Sequence, residues 1–199
     1  MRILIIEPPA VSKFGNQRIF GGNGSNKSDF RKPPLDLMMI SGYLRKEGFD
    51  NVLIDANASR KTIDDIREII KKESPDVVFF STSTCTIYKD LLVAKAAKEV
   101  NLSIVTVALG THVMALPEDT FKESEYLDAI IYSNEWEQVA LNVAGNPSSL
   151  ENAKGIFLRK PDGKIIKTDI QPPMQNLDDL GFPAHDKLEK ELYRDPTTK

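Results

Sequence analysis

The chain has 199 residues, of which 28% are charged and 41% hydrophobic, and its net charge is −3. That length supports one core of roughly 130–150 residues plus an appendage, and the charge excludes a nucleic-acid or anionic-membrane surface spread over the whole molecule. No stretch approaches the ~18 apolar residues that cross a bilayer, and Pro8-Pro9 stops the apolar start Ile3–Ile6 too early for a signal peptide, so a cytoplasmic location is the default expectation.

Strand and helix signals then alternate in chain order. Arg2–Ile6 is a first apolar run. Glu7–Pro34 follows without obvious structure, longer than ordinary connections. It carries Lys13, Arg18, Lys27, Arg31 and Lys32 against Glu7 and Asp29. Such an excess suits a phosphate-bearing ligand or a lid, and equally a solvated loop. Within it, Gly21–Ser28 approaches a P-loop but has Asn26 in place of the second glycine, and Pro33-Pro34 stand where the helix should open, so nucleotide hydrolysis is not supported.

Leu35–Lys46 is an amphipathic helix with Leu37, Ile40, Ser41 and Leu44 on one face. Asn51–Ile54 is the second strand, and Thr62–Lys72 a helix with acids near its positive end. Asp76–Phe80 is the third strand. Its loop, Ser81-Thr82-Ser83-Thr84-Cys85-Thr86, places five hydroxyls in six residues before a helix over Ile87–Val100. Hydroxyls and free amides there suit a phosphate, an amide or a heterocycle nitrogen; N-capping needs only one of them. A phosphorylated receiver needs an aspartate here, and there is none.

Ser103–Leu109 is the fourth strand. In its loop Gly110-Thr111-His112, glycine lets the backbone approach a flat ligand, and His112 faces a ligand or caps a helix. Pro117–Ser124 is a helix opened by proline. Leu127–Tyr132 is the fifth strand, followed by Ser133-Asn134-Glu135-Trp136-Glu137 and a helix over Glu135–Val143. Trp136 either stacks on a cofactor or packs on the connector.

Val- and Ile-rich runs without alternation, separated by helices, predict a doubly wound five-stranded parallel α/β sheet, flavodoxin- or Rossmann-like, in the order 2-1-3-4-5. Residues 1–147 form this domain. Residues 148–199 add a β-hairpin, Lys154–Lys160 and Lys164–Thr168 about Pro161-Asp162-Gly163, then an extended connector and a short helix near His185–Arg194. Cys85 is the sole cysteine, expected as a buried small residue, so neither a disulfide framework nor an iron–sulfur cluster can form from this chain. With only His112 and His185 beside it, no metal site is expected.

In such a sheet ligands bind beyond the carboxyl ends of the strands. The loop sequences there, in their order, resemble the N-terminal cobalamin-binding domain of cobalamin-dependent radical-SAM proteins, a class that includes anaerobic magnesium-protoporphyrin IX monomethyl ester cyclases and methyltransferases. Pro8-Pro9, Pro33-Pro34-Leu35 and Ile40-Ser41-Gly42-Tyr43-Leu44 are similar to its PP…PPLGLAYLAAYL pattern. Gly110-Thr111-His112 with Leu116-Pro117-Glu118 is similar to G-G-P-H…P-E. Asn134-Glu135-Trp136-Glu137 falls where G-E-G-E is usual, and Leu177-Asp178-Asp179-Leu180 with Phe182-Pro183-Ala184 is similar to L-D-D-L-P-x-P-A.

The resemblance implies a cofactor-carrying domain, not catalytic alone, that seats cobalamin on Pro8, Pro9, Ser81, Thr82, Ser83, Thr84, Gly110, Thr111, His112, Asn134, Glu135 and Trp136. It implies base-off cobalamin, the dimethylbenzimidazole tucked beside Ser81 and Ser83. The D-x-H-x-x-G signature is absent and no histidine follows strand one, so no axial imidazole is expected from that loop. The C-x-x-x-C-x-x-C motif is absent as well. S-adenosylmethionine and a 4Fe-4S cluster are therefore expected only in a radical-SAM barrel of the same polypeptide, beyond this segment.

Leu109, Asn134 and Trp136 replace three glycines of the family pattern, where bulk would crowd a corrin ring. On that ground a second reading stands beside the first: a degenerate α/β module that docks to a partner or recognises substrate without cobalamin.

Overall fold

The computed structural model describes residues 1–12, 16–19, 22–25 and 30–193. Its elements are β1 (Ile3–Glu7), β2 (Asn16–Ile19), β3 (Gly22–Ser25), α1 (Leu35–Lys46), β4 (Asn51–Asp55), α2 (Ile63–Glu73), β5 (Val77–Ser81), α3 (Ile87–Asp90), α4 (Leu92–Val100), β6 (Val105–Leu109), α5 (Thr111–Ala115), α6 (Pro117–Glu123), β7 (Ala129–Ile131), α7 (Trp136–Gly145), β8 (Ile156–Arg159) and β9 (Ile165–Lys167). One sheet runs β4-β1-β5-β6-β7-β8-β9. Its first five strands are parallel, in the expected order 2-1-3-4-5, and β8 and β9 extend it antiparallel. The hairpin thus continues the sheet beyond β7 instead of standing apart from it.

The apolar runs form strands because both faces are covered. Ile3, Ile5, Val77, Phe79, Val107 and Leu109 point into one core with residues of α1 and α7. Leu4, Ile6, Val78, Phe80 and Ala108 point into a second core with residues of α2, α4 and the β6–β7 connection. Alternation is therefore present but invisible in the sequence, since both faces need hydrocarbon. The helices change face twice along the sheet, once between the connections leaving β1 and β5 and once between those leaving β6 and β7. Loops diverge at both places, on the carboxyl edge.

Two expectations are corrected. The segment after β1 is not structureless: Asn16–Ile19 and Gly22–Ser25 pair as a small antiparallel ribbon. Its near-P-loop residues Gly22–Ser25 are a strand, while Gly21 and 26–28 lie outside the described residues, as do the side chains of Lys13, Arg18, Lys27 and Asp29. The helix expected over Ile87–Val100 is broken at Leu91 into α3 and α4. No helix among the described residues is long and apolar enough to cross a membrane.

The connector after β9 is held by α1. A Cβ on Gly42 would stand 2.0 Å from the carbonyl oxygen of Phe182, and the amide of Ala184 donates to the carbonyl of Met38 at 3.0 Å. Two segments of the sequence pattern, around Gly42 and around Phe182-Pro183-Ala184, are each other's packing partners. Arg45 binds Asp186 at 2.7 Å. Lys187 then donates to the backbone and side chain of Asn51, at the start of β4, and Tyr193 donates to Asp55 Oδ2, at its end, at 3.0 Å. The expected helix near His185 is two short 3-10 turns, His185–Lys187 and Lys190–Leu192, along this edge strand; Arg194 lies outside the described residues.

Gly42→Ala is expected to lift the connector from α1 at a cost of about 1–3 kcal/mol. The thermal midpoint should fall, and limited proteolysis should find new cleavage beyond Leu180. Unchanged stability and cleavage would show that the contact is dispensable.

Candidate functional site

Three neighbouring strands bring the candidate residues to one edge. Thr82 follows β5, Gly110 follows β6, and Trp136 opens α7 just beyond β7. The β5 and β6 loops are joined directly: the amide and the hydroxyl of Thr82 both donate to the carbonyl of Leu109 at 2.8 Å. Thr84 Oγ1 lies 3.3 Å from His112 Nδ1, so His112 bridges the two loops. Thr84, Thr111 and Asn134 are exposed, while after β1 Pro8 is buried and Pro9 half-buried.

Gly110 has φ +128°, a conformation that side chains rarely adopt, and a Cβ there would stand 2.5 Å from the Thr82 carbonyl oxygen. The immediate reason for glycine is thus the packing of Thr82, a neighbour in the protein, and not the approach of a ligand.

The side chains expected to crowd the edge are placed otherwise. Leu109 is 1% exposed and belongs to the α1–α7 core, because register on β6 turns it inward. Trp136 packs against the same core, and its indole N–H is buried with no acceptor among the described residues. Asn134 alone of the three stands in solvent. Crowding by Leu109 is therefore ruled out. Cys85, expected to be buried, is exposed, because the buried places in its turn are taken by Ser83 and Thr86.

The β5 loop is a closed hydrogen-bonded unit. Ser81 Oγ donates to Glu7 Oε2 at 2.5 Å. The amide of Ser83 donates to Asp90 Oδ2 at 3.1 Å, Thr86 Oγ1 donates to the same oxygen at 2.7 Å, and Ser83 Oγ lies 2.7 Å from Thr86 Oγ1. Glu7 is 5% exposed and Asp90 wholly buried. Sequence reasoning passed over both as binding residues. Glu7 reads as the end of a strand, and Asp90 sits one turn inside a helical pattern, although its spacing of four from Thr86 is the available signal.

The β7 loop is tied to the connector. Glu135 Oε2 accepts from the amide of Met174 at 3.2 Å, and Asn142 donates to Gln171 Oε1 at 2.8 Å. Glu137, in the first turn of α7, is half-buried. Burial, followed by Asp36 and Glu135 nearby, holds its carboxyl above the ordinary range, against the opposing effect of its own backbone amide. Burial likewise raises Asp36. At the far end of the rim, burial and then Asp55 keep the Tyr193 phenol protonated well beyond its usual range. A separate cavity of about 630 Å³, lined by Pro75, Asp76, Asn101 and Ile104 among others, opens at the opposite, amino edge, remote from these loops.

A doubly wound α/β domain with polar loops gathered at the carboxyl edge of its sheet is the class that this geometry defines. Residues 26–141 match the model of the B12 binding domain family, and the chain belongs to that family. It is 33% identical over 98% of its length to an uncharacterized methyltransferase of Pyrococcus horikoshii, and 34% identical over 97% to an anaerobic magnesium-protoporphyrin IX monomethyl ester cyclase of Rubrivivax gelatinosus. It spans 40% and 34% of those relatives' own lengths.

Among solved structures, the fold matches the cobalamin-dependent S-adenosylmethionine radical enzyme OxsB with aqua-cobalamin and S-adenosylmethionine bound. The TM-score is 0.67 at 17% identity, covering 86% of this chain and 22% of that one. It also matches the radical S-adenosylmethionine methyltransferase TsrM of Kitasatospora setae with TM-score 0.65 at 12% identity, covering 84% and 30%.

Gly110→Ala is expected to lower stability by about 1–3 kcal/mol through its strained backbone and the Thr82 contact. A melting curve matching the native one would remove the joint between the two loops from consideration. For Glu137, a raised carboxyl pKa means that the folded state holds its proton longer than the unfolded state. Its stabilising contribution is complete in acid and fades as pH rises through the raised value. Glu137→Gln lacks this loss, so its melting temperature relative to the native protein should climb between pH 4 and pH 7. A constant difference would show that the carboxyl titrates normally.

Proposed function

We propose that this chain carries cobalamin for a radical-SAM enzyme of the methyltransferase or oxidative-cyclase type, and that it is not catalytic alone. One observation carries the reading: the loops after β5 and β6 are locked together through Thr82 and Leu109, with the bulk of Leu109 turned into the core. That leaves a rim on which Thr84, Thr111 and Asn134 present polar groups outward. The residues suit a flat ligand. Ser81, Thr82, Ser83 and Thr84 form the floor on one side and Gly110, Thr111 and His112 the middle. Asn134, Glu135 and Trp136 close the third side, with Pro8 and Pro9 bordering the first strand.

When bound, cobalamin supplies a cobalt centre for methyl transfer or redox steps; the domain's part is binding, orientation and exclusion of water. The loop after β1 contains no histidine, so a base-off cofactor without an imidazole from that loop is part of the proposal. S-adenosylmethionine and the 4Fe-4S cluster belong to a barrel elsewhere in the parent protein. The reading is supported by the family match and by fold likeness to enzymes whose descriptions name cobalamin.

A second reading, a docking or substrate-recognition module without cobalamin, draws on the connector. Met174 and Gln171 already occupy hydrogen-bonding partners on and beside the β7 loop.

The two separate by incubation with hydroxocobalamin, gel filtration and visible spectroscopy. About one equivalent of retained, base-off corrinoid is expected. After reduction to Co(II), the electron paramagnetic resonance spectrum should lack coupling to an axial nitrogen. Loss of all absorbance on the column supports the docking module, and a histidine-ligated signal overturns the base-off assignment.

A further inference from the structure

An indole has one polar atom, and that atom only donates. Buried without an acceptor, its N–H loses water and gains nothing in return, so a donor left this way calls for an explanation. Trp136 is such a case. It packs on the core shared by α1, α7 and one face of the sheet, yet its Nε1 is buried with no acceptor among the described residues. Packing alone does not account for it, since phenylalanine or leucine fills an apolar place without stranding a donor. Trp136 is also the first residue of α7, its ring is only half-buried, and it follows the exposed Asn134 by two positions. The N–H therefore lies close beneath the surface of the carboxyl rim.

Three carboxyls stand about this turn. Glu137 feels both Asp36, in the first turn of α1, and Glu135, and Glu135 Oε2 accepts from the amide of Met174 at 3.2 Å. None of them takes the indole proton. The first-turn amides of α7 are donors too, but the anion that a helix start attracts is supplied by the chain itself, through Glu137 and its own amide. A further anion arriving here meets like charge. A neutral acceptor meets a waiting donor.

We infer that Trp136 contributes its indole N–H, and not the face of its ring, to ligand binding, and that the group it takes is a neutral hydrogen-bond acceptor: an amide carbonyl or the lone pair of a heterocycle nitrogen. The inference rests on the proposed cobalamin binding, which brings both kinds of acceptor. The corrin rim carries carboxamides, and the base-off form has a benzimidazole nitrogen released from cobalt. Trp136, standing where the family pattern has glycine, thereby adds a contact instead of blocking one.

Trp136 is the sole tryptophan, so the isotope-labelled whole chain gives a single indole N–H signal in a proton–nitrogen correlation spectrum. Hydroxocobalamin is expected to move that proton downfield as the bond forms. Cobinamide, which keeps the corrin carboxamides and lacks the benzimidazole nucleotide, separates the two acceptors. A downfield shift with both probes assigns the amide carbonyl, and a shift with hydroxocobalamin alone assigns the ring nitrogen. Inorganic phosphate should leave the signal in place. Trp136→Phe, checked for folding by circular dichroism, should bind hydroxocobalamin about tenfold more weakly in a visible titration; the native spectra stand without it. A corrinoid held with the indole signal unmoved, or moved upfield as stacking would move it, overturns the inference while leaving cobalamin binding intact. So does a downfield signal before any ligand is added, which marks an internal water as the acceptor. A downfield response to phosphate, or a folded Trp136→Phe that binds as tightly as the native chain, overturns it too. If neither corrinoid binds the native chain, the proposed function fails and this inference with it.

Discussion

A parallel strand covered on both faces leaves the chain one place for polar chemistry, which is its ends. Ile3–Ile6 and Val77–Phe80 are completely buried, and their side chains go alternately to two hydrocarbon cores. Any hydrogen-bonding or charged group near the sheet axis must therefore sit where a strand stops, and the first such residues are Glu7 on β1 and Ser81 on β5. They meet across the strand boundary in one hydrogen bond. Around this pair the helices part to opposite faces, so the protein's own geometry opens a polar seam at the point where the sheet changes winding.

The burial of that seam explains its composition. Removing charges such as Glu7 and Asp90 from water is costly unless donors are brought to them. Ser81, Thr86 and the amide of Ser83 supply those donors. Five hydroxyls in six residues are thus largely an internal necessity, with Thr84 alone turned outward toward His112. The same economy appears at β6, where Gly110 answers the crowding by Thr82. Residues that look like ligand contacts in a sequence are here first contacts with one another, and the surface proposed to bind is what remains after those internal demands are met.

How much of this was legible follows from the kind of signal each element leaves. The five parallel strands and their order could be read because continuous apolar runs separated by amphipathic helices admit few topologies. Helix α1 was readable to the residue, opened after Pro34 and carried by its apolar face. The small ribbon β2–β3 was not, because the sequences Asn16–Ile19 and Gly22–Ser25 carry no alternating apolar pattern. The break at Leu91 was missed because both halves share one hydrophobic stripe. At the candidate site, the rule for open sheets led to the loops at the carboxyl edge, but the orientation of their protons was hidden. It depends on Asp90, four residues beyond Thr86 on a helix, and on Glu7, whose role appears only once folding brings it against Ser81, 74 positions away.

The connector has a bearing on solubility that its sequence conceals. In this sheet β4 is an outer strand, and an outer strand with open backbone groups invites pairing with another chain. Lys187 and Tyr193 clamp the two ends of β4, at Asn51 and Asp55, so the segment works as a guard rail against edge-to-edge association. A polypeptide stopped before Phe182 would retain both hydrocarbon cores yet bare that flank, and the outcome to be feared for such a fragment is self-assembly rather than unfolding.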